Sequence, residues 1–396
     1  MHPQPPADQI RNFRQPMQYR RFGRSERWLS VITLGGMRFH KGWEQPRDEL
    51  LQRTLDECRD SVLRAFDAGI NHIETAYGYG KSEHTYGRVL NQELAIPRQR
   101  YHLMTKGSPK TAEEVRRLVD EQLRGLQTDH IDLYGWHGIN DAEAFDTACA
   151  AGGPVEELLK LRDEGVIGTV GFSTHGPTEV ICRAIETDLF DFVNLHYYYF
   201  WQRNWPAVYL ASRRDMGVFI ISPNDKGGQL WHPYPTLREI CAPLTPIQWN
   251  ARFCLRTPLV QTLSFGMHEA AHFDEMRGIF PVSVPLSHED QRIQHSLDAR
   301  VLDDPYAAYD GYDLDDDPSQ INIAEILRFR RMWKCYGMLE FCRYRYNMFN
   351  PDSSWFRGAI VDEERLARVD TSKAPADIPL IDLLREAHEA FYVPKE

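Results

Sequence analysis

The chain has 396 residues, of which 42% are hydrophobic and 26% charged, enough for a barrel of about 250 residues and an appendage of roughly 100. The formal net charge of -11 argues against a nucleic-acid-binding surface, which would show clustered Lys and Arg. A small-molecule partner is the better expectation.

The chain begins MHPQPPADQI, which lacks the basic and apolar regions of a signal peptide. Further along, no apolar run approaches the roughly 18 residues of a membrane span. Seven scattered Cys fit a reducing compartment better than a disulfide framework. We therefore expect a cytoplasmic protein with no membrane partner.

Short β-branched runs then alternate with longer amphipathic ones, such as 112–126 and 155–164, which is the rhythm of βα units in a closed parallel sheet. In such barrels the active site forms at the carboxyl ends of the strands. The pattern predicts eight strands, at residues 31–34, 72–75, 102–105, 131–134, 169–172, 192–196, 218–222 and 260–264.

The sequence changes character after the eighth predicted strand. Residues 282–320 show no clear periodicity and carry an acidic run from Asp303 to Asp317. A calcium loop needs ligands at fixed alternating positions, which this run lacks, so we interpret it as a solvated linker. A helical pattern rich in Arg and aromatic residues returns at 321–346. The predicted organisation is a tail at 1–16, a barrel at 17–281, an acidic linker at 282–320 and a helical C-terminal extension at 321–396.

The residues of a possible proton-transfer site stand at or just after the ends of three predicted strands. Tyr79 follows one strand, Lys106 ends the next and His137 follows the third. A phenol has an unperturbed pKa near 10, so it needs a nearby cation to act at neutral pH, and Lys106 would supply it. Glu74 would hold that ammonium in place, while the imidazole of His137 would orient a substrate oxygen or relay the proton.

The stretch from Glu74 to Glu83 resembles Asp-Thr-Ala-x-x-Tyr-Gly-x-Ser-Glu, the most specific signature of the aldo-keto reductases. Residues 17–25 resemble the opening hairpin of that family and 34–37 its first strand. The resemblance covers roughly residues 17–280 and implies a (β/α)8 TIM barrel that reduces a small aldehyde or ketone with NAD(P)H. It also implies that Tyr79 is the proton donor. One letter departs from the signature, because Glu74 stands where the family has Asp.

The same resemblance implies a cofactor site in the second half of the barrel. Ser173 resembles the residue that holds the nicotinamide carboxamide, Thr174 stands where Asn is commoner, and Asn194 stands where the family usually has Gln. After the seventh strand, residues 222–230 resemble the family's pyrophosphate loop, in which glycines let backbone N–H groups approach and a Lys adds charge. The implied contacts there are Ser222, Asn224, Lys226, Gly227 and Gly228.

Gly266, His268 and Glu269 align with the family's adenosine-side loop. NADP-specific members place Lys or Arg where Glu269 stands, and a carboxylate repels the 2'-phosphate but accepts a hydrogen bond from a free ribose hydroxyl. His268 and Arg256 could still supply positive charge. NADP therefore keeps a slight lead over NAD, on family habit alone.

The tail resembles an eroded form of the ferredoxin-like extension that some aldo-keto reductases carry. An iron-sulfur cluster generally takes four thiolates at close spacing, and only Cys335 and Cys342 stand here, so we expect no cluster and no metal. The alternative to an enzyme is a nucleotide-binding regulatory protein of the same fold with little turnover. Trp43, Trp136 and the run 197–201 suggest an aromatic pocket wall, but the substrate and the oligomeric state stay open.

Overall fold

The computed structural model describes residues 4–39 and 46–394, so Trp43 lies outside the described residues. Eight parallel strands form a closed barrel in chain order, and the last pairs with the first, at Leu263 opposite Ile32. Before them, an antiparallel hairpin of β1 and β2 pairs Tyr19 with Ser30. The strands are β1 (Tyr19–Arg21), β2 (Trp28–Ser30), β3 (Ile32–Gly35), β4 (His72–Glu74), β5 (His102–Gly107), β6 (Ile131–His137), β7 (Ile167–Ser173), β8 (Phe192–Leu195), β9 (Gly217–Ile220) and β10 (Thr262–Phe265). The predicted fold class is confirmed.

The chain divides into two compact units. The first comprises residues 1–223 and 250–285 and holds the barrel, and the second comprises 224–249 and 286–396. The α-helices are α1 (Gln52–Asp67), α2 (Ser82–Gly87), α3 (Ala112–Leu126), α4 (Ala142–Ala148), α5 (Pro154–Asp163), α6 (Thr178–Glu186), α7 (Trp205–Arg213), α8 (Pro235–Cys241), α9 (Pro246–Leu255), α10 (Ala270–Arg277), α11 (His288–Val301), α12 (Ile323–Tyr336), α13 (Leu339–Tyr346), α14 (Glu363–Leu366) and α15 (Leu380–Phe391).

The hairpin buries apolar side chains together with barrel strands. Phe22 and Leu29 form one fully buried cluster with Met104, Leu133 and Phe192. Each such side chain removed from water contributes about 1.5–3 kcal/mol to folding. The hairpin therefore stabilises the barrel on which the carboxyl-end loops are mounted.

Helix α3 shows how local sequence sets an element of the barrel. The side chain of Thr111 accepts a hydrogen bond from the backbone N–H of Glu114, which caps the first turn. Val115 and Val119, four residues apart, lie buried on the barrel side. Gln127, with a φ of 53°, ends the helix in the left-handed region. The same face carries Gln122 into the interior.

The second unit contains more regular structure than the pattern at 282–320 predicts. Helix α11 lies inside that stretch. The side chain of Ser287 accepts a hydrogen bond from the backbone N–H of Asp290 and so caps the first turn. Ile293 and Leu297, four residues apart, are buried on one face of the helix. The acidic run is also not simply solvated, since its carboxylates pair with Arg side chains of the same unit. These pairs are Asp304 with Arg330, Asp310 with Arg331 and Asp315 with Arg357. The domain boundaries drawn from the sequence stay predictions.

Nowhere in residues 4–39 and 46–394 does a helix combine the length and the apolar character needed to cross a membrane.

Candidate active site

The barrel brings Glu74, Tyr79, Lys106 and His137 to the carboxyl ends of three adjacent strands. Glu74 is the last residue of β4, Lys106 lies near the end of β5 and His137 is the last residue of β6. Tyr79 follows β4 in a loop that pairs with β5, because the N–H of Tyr77 donates to the carbonyl of Lys106 at 2.8 Å. The four residues that the sequence groups as catalytic thus lie at one end of the barrel.

A buried ion pair forms the floor of this site. The ammonium of Lys106 contacts Oε1 of Glu74 and donates to the carbonyl of Thr75 at 2.8 Å. Lys106 is 1% exposed and Glu74 is 3% exposed. Burial lowers the pKa of Lys106, and the adjacent Glu74 carboxylate opposes that shift. The pair fixes the position of the ammonium below Tyr79.

The ring of Tyr79 lies beside this ion pair. The Lys106 ammonium is 4.9 Å from the ring centroid of Tyr79. Burial of the hydroxyl, together with the nearby Glu74 carboxylate, raises the pKa of Tyr79 well above its usual range. The role of Lys106 in stabilising the tyrosinate stays a prediction.

His137 lies edge-on to Tyr79. The ring centroids are 5.8 Å apart and the ring planes stand at 87°. Gly78 lies beside the imidazole, where an added Cβ would be in ordinary van der Waals contact with Cε1 of His137 at 3.5 Å. An imidazole beside the phenol is suitably placed to bind the oxygen that the phenol protonates.

Three residues that the sequence reasoning missed support the catalytic group. Ser264 of β10 donates to Oε2 of Glu74 at 3.1 Å. Gly35 leaves room for that contact, since a Cβ there would lie 2.7 Å from the Ser264 hydroxyl and 3.4 Å from Oε2. Arg47 donates to the carbonyls of Tyr77 and Gly80, at 2.7 and 3.2 Å, and so holds the loop on either side of Tyr79. The available signal was the position of Ser264 near the end of β10, where it pairs with Thr33 of the neighbouring strand β3.

A polar network lies behind Lys106. Glu83 accepts hydrogen bonds from Thr105 at 2.5 Å and from Gln122 at 2.7 Å, and Gln122 also donates to the carbonyl of Lys106 at 3.1 Å. Burial raises the pKa of the Glu83 carboxyl to about 7, against the effect of these hydrogen bonds. The motif residue Glu83 therefore contacts the side chains of Thr105 and Gln122, and Gln122 connects this network to the backbone of β5.

The residues predicted for the nicotinamide lie at the ends of β7 and β8. Asn194 is fully buried, and its Oδ1 atom has no hydrogen-bond partner among the residues that the structure describes. An orphaned buried acceptor of this kind suits a carboxamide N–H. Ser173 accepts from the N–H of Gly138 at 3.2 Å and keeps its own hydrogen to donate. Thr174 donates its hydroxyl hydrogen to the carbonyl of Ile139 at 2.6 Å, which leaves it only a further acceptor role.

The predicted pyrophosphate loop divides between the two units. Ser222, in the left-handed region with a φ of 46°, belongs to the first unit, and Asn224, Lys226, Gly227 and Gly228 belong to the second. Gly228 suits its position in the second unit because its φ is 126°, a backbone conformation that residues with a side chain rarely adopt.

The residues predicted for the adenosine side begin α10. Glu269 is the residue before that helix, its side chain is 65% exposed, and it lies 3.4 Å from Nε2 of His268. Gly266 lies against the side chain of Arg38, because a Cβ at Gly266 would be 3.2 Å from Nε of Arg38. The sequence reasoning did not include Arg38 in this site. Arg256 donates to the hydroxyl of Tyr197 at 2.6 Å, so its charge is engaged elsewhere.

The tail cysteines are buried. Cys342 contacts the carbonyl of Phe329 at 3.1 Å, and burial raises the pKa of Cys335 to about 11. Thiolates, not thiols, ligate iron. Within the part of the chain that the structure describes, no three His, Cys, Asp or Glu side chains are grouped to hold a metal. The absence of a cluster stays a prediction.

A closed (β/α)8 barrel with a buried Tyr, Lys and carboxylate beside a His defines a class of enzymes that transfer a proton at the carboxyl ends of the strands. Residues 31–223 match the model of the Aldo/keto reductase family, which supports the assignment of the barrel to that family.

Two similar proteins with assigned names match part of the chain in sequence. D-arabinose 1-dehydrogenase of Saccharomyces cerevisiae is 33% identical over 175 residues, which is 41% of this chain and 49% of that protein. L-galactose dehydrogenase of Arabidopsis thaliana is 29% identical over 197 residues, which is 45% of this chain and 60% of that protein. The matches thus span about half to three fifths of these two relatives.

Solved structures agree in fold. An aldo-keto reductase from Bacillus halodurans in its holo form has a TM-score of 0.58 at 22% identity, covering 70% of this chain and 96% of that one. An aldo/keto reductase from Brucella melitensis has a TM-score of 0.54 at 21% identity, covering 70% and 99%. At these identities the likeness concerns the barrel fold.

Proposed function

We propose that this protein is an NAD(P)H-dependent reductase of small aldehydes or ketones. The observation that carries the proposal is the position of the Tyr79 ring, 4.9 Å from the Lys106 ammonium that pairs with Glu74 and edge-on to His137. A reduced nicotinamide would supply the hydride. The protein's part is to bind the carbonyl oxygen, give it a proton and exclude water.

Each residue has a distinct role in that chemistry. His137 would bind the carbonyl oxygen and polarise it. The Tyr79 phenol would donate its proton to the alkoxide as the hydride arrives, which a phenol of raised pKa can do because an alkoxide is far more basic. The Lys106 ammonium would stabilise the tyrosinate left behind, and Glu74 would hold the ammonium.

The nucleotide contacts are proposed for residues of the barrel that fit them. Ser173 would donate to the carboxamide oxygen and the orphaned Oδ1 of Asn194 would accept from its N–H group. Exposed Glu269 stands where a 2'-phosphate would favour a cation. We favour NADP slightly over NAD only because the family commonly uses NADP.

The test is single-turnover oxidation of bound NADPH by an excess of reactive aldehyde. Tyr79→Phe should bind nucleotide almost normally and slow hydride transfer by about 100-fold or more, the usual scale for a lost general acid. Tyr77→Phe is the matched control, because Tyr77 lies two residues away and donates to Glu121 at 3.1 Å instead. Equal rates in wild type and Tyr79→Phe would contradict the proposal.

One observation favours a second candidate, a nucleotide-binding regulatory protein with little turnover. Burial and the Glu74 carboxylate raise the pKa of Tyr79, and the extra methylene of Glu relative to Asp would let this carboxylate compete with a substrate for the phenol proton. This alternative expects wild type to bind nucleotide, to turn over slowly and to respond little to Tyr79→Phe.

A further inference from the structure

Three hydrogen-bonded side chains join the loops that follow β7 and β8. Nδ1 of His175, after β7, lies 2.6 Å from Nε2 of His196, after β8, and Nδ1 of His196 lies 2.8 Å from the hydroxyl of Tyr198. The centroids of the two imidazole rings are 4.8 Å apart. His196 is 4% exposed and Tyr198 is fully buried, whereas His175 is half-buried. All three residues belong to the first unit.

His196 is the central member of this chain, because both of its ring nitrogens are engaged. A neutral imidazole has one donor nitrogen and one acceptor nitrogen. When the Tyr198 hydroxyl donates to Nδ1, the N–H at Nε2 donates to His175, so the two bonds run in the same direction. Replacing this imidazole by an apolar ring would break both bonds at once.

The backbone on each side of the imidazole pair is also held. The N–H of His175 donates to Oδ1 of Asn140 at 2.7 Å, and Nδ2 of Asn204 donates to the carbonyl of His196 at 3.0 Å. The hydroxyl of Thr178 donates to Oδ1 of Asn204 at 2.9 Å, which is a second link between the segments that follow the two strands. The imidazole pair thus connects two fixed backbones.

Each imidazole follows a residue proposed for the nicotinamide by two positions. Ser173 ends β7 two residues before His175, and Asn194 lies in β8 two residues before His196. Ser173 and Asn194 are paired in the register of these strands, and the N–H of Thr174 donates to the carbonyl of Asn194 at 3.0 Å. The link between the imidazoles therefore lies directly beyond the paired ends that carry the proposed nicotinamide contacts.

We propose that His196 is a positioning residue for the nicotinamide, which keeps the hydroxyl of Ser173 and Oδ1 of Asn194 at the separation that one carboxamide group requires. A carboxamide offers an acceptor oxygen and an N–H donor, so both partners must be in place together. A misplacement of about 1 Å in such a pair is costly. The inference rests on the proposed function, because it takes a nicotinamide as the ligand of Ser173 and Asn194.

The experiment measures the binding of NADH and of ADP-ribose to the full chain by calorimetry. ADP-ribose has the adenosine and the diphosphate of NADH but no nicotinamide. His196→Phe keeps an aromatic ring and removes both hydrogen bonds. It should weaken NADH about tenfold, the scale of one or two lost hydrogen bonds, while the affinity for ADP-ribose changes less than about twofold. His196→Gln retains an amide that can bond to His175 and should recover most of the NADH affinity.

Two further variants complete the series. Tyr198→Phe removes only the hydroxyl that bonds to His196 and should weaken NADH by a smaller factor, about threefold. His130→Phe is the matched control, because His130 precedes β6 and its Nδ1–H donates to the carbonyl of Gly165 at 3.1 Å. This control should leave the affinity for both ligands within about twofold. If His196→Phe does not fold, Tyr198→Phe decides, since unchanged NADH affinity there would overturn the inference.

The outcomes separate this inference from the proposed function. Equal losses of NADH and ADP-ribose affinity in His196→Phe would assign the imidazole a general structural role and overturn the inference. NADH affinity that stays at the wild-type value in His196→Phe would overturn it as well. In both cases wild type still binds NADH, and the proposed function stands. If wild type binds neither NADH nor ADP-ribose, the inference and the proposed function fail together.

Discussion

The carboxylate of Glu74 that pairs with the Lys106 ammonium also acts on Tyr79, whose pKa is raised well above its usual range by burial and by this carboxylate. A negative charge beside a phenol stabilises its protonated form, whereas the ammonium stabilises the tyrosinate. In this site burial and the carboxylate prevail. The phenol therefore stays protonated at neutral pH, which is the form that carbonyl reduction requires.

The first prediction concerns the direction of the reaction. Because Tyr79 stays protonated, the single-turnover rate of carbonyl reduction should be flat between about pH 7.5 and 9.5. Alcohol oxidation needs the tyrosinate, so its rate should rise with pH over the same interval without reaching a plateau. Stopped-flow measurement of both directions checks this. A reduction rate that halves near pH 8 would show that the phenol ionises in the normal range.

The second prediction concerns the length of the carboxylate. Glu74→Asp withdraws the carboxylate from Tyr79 and from Ser264 while keeping a charge for Lys106. We expect reduction to be preserved or faster, and alcohol oxidation at pH 8 to rise about tenfold, which corresponds to a Tyr79 pKa lower by about one unit.

Ser264→Ala is the companion variant. It removes only the hydrogen bond at 3.1 Å and should change both rates less than Glu74→Asp does. A large loss of reduction in Glu74→Asp, with normal nucleotide binding, would mean that the longer side chain is required to hold Lys106 in this barrel.

The third prediction concerns nucleotide choice. Exposed Glu269 begins α10 where a 2'-phosphate would meet a negative charge, so the preference between NADPH and NADH should be modest, on the order of tenfold or about 1.4 kcal/mol. Glu269→Lys should shift it toward NADPH. Fluorescence titration of both nucleotides in both proteins measures the ratio, and an unchanged ratio would mean that the side chain does not reach the ribose.

The barrel could be predicted from the sequence because its signals are local. The eight strand segments are short β-branched runs, and the motif from Glu74 to Glu83 fixes the loop that carries Tyr79. What the sequence could not provide is the side-chain geometry of Glu74. The longer side chain can turn in several directions, and the structure shows that it contacts Lys106 and Ser264 beside the space that Gly35 leaves.

The second unit was harder to predict for a related reason. The acidic run at 303–317 is polar and aperiodic, which is typical of a linker. Its carboxylates form ion pairs with arginines that lie 20 or more residues away in sequence, as Asp304 does with Arg330. Partners at that distance leave no periodic signal in the run itself.

The last prediction concerns stability at the opposite end of β6 from His137. Asp132 is fully buried and accepts hydrogen bonds from Arg11 at 2.8 Å, Arg98 at 2.6 Å and the N–H of Leu103 at 2.9 Å. Burial alone would raise the pKa of Asp132, but contact with His102 and the arginine charges outweigh it and hold the pKa well below its usual range. A depressed pKa in the folded state adds stability above the unfolded pKa of about 3.9, and that stability is lost as pH falls toward the folded value. Asp132→Asn should therefore lower the free energy of unfolding by about 3–5 kcal/mol at pH 7, with a smaller difference below about pH 4.

Urea unfolding at several pH values measures this difference. The control is Asp56→Asn, because Asp56 is a half-exposed partner of Arg59 and its loss should cost under about 1 kcal/mol. A difference that stays constant with pH would assign the loss to hydrogen-bond geometry rather than to the charge of Asp132.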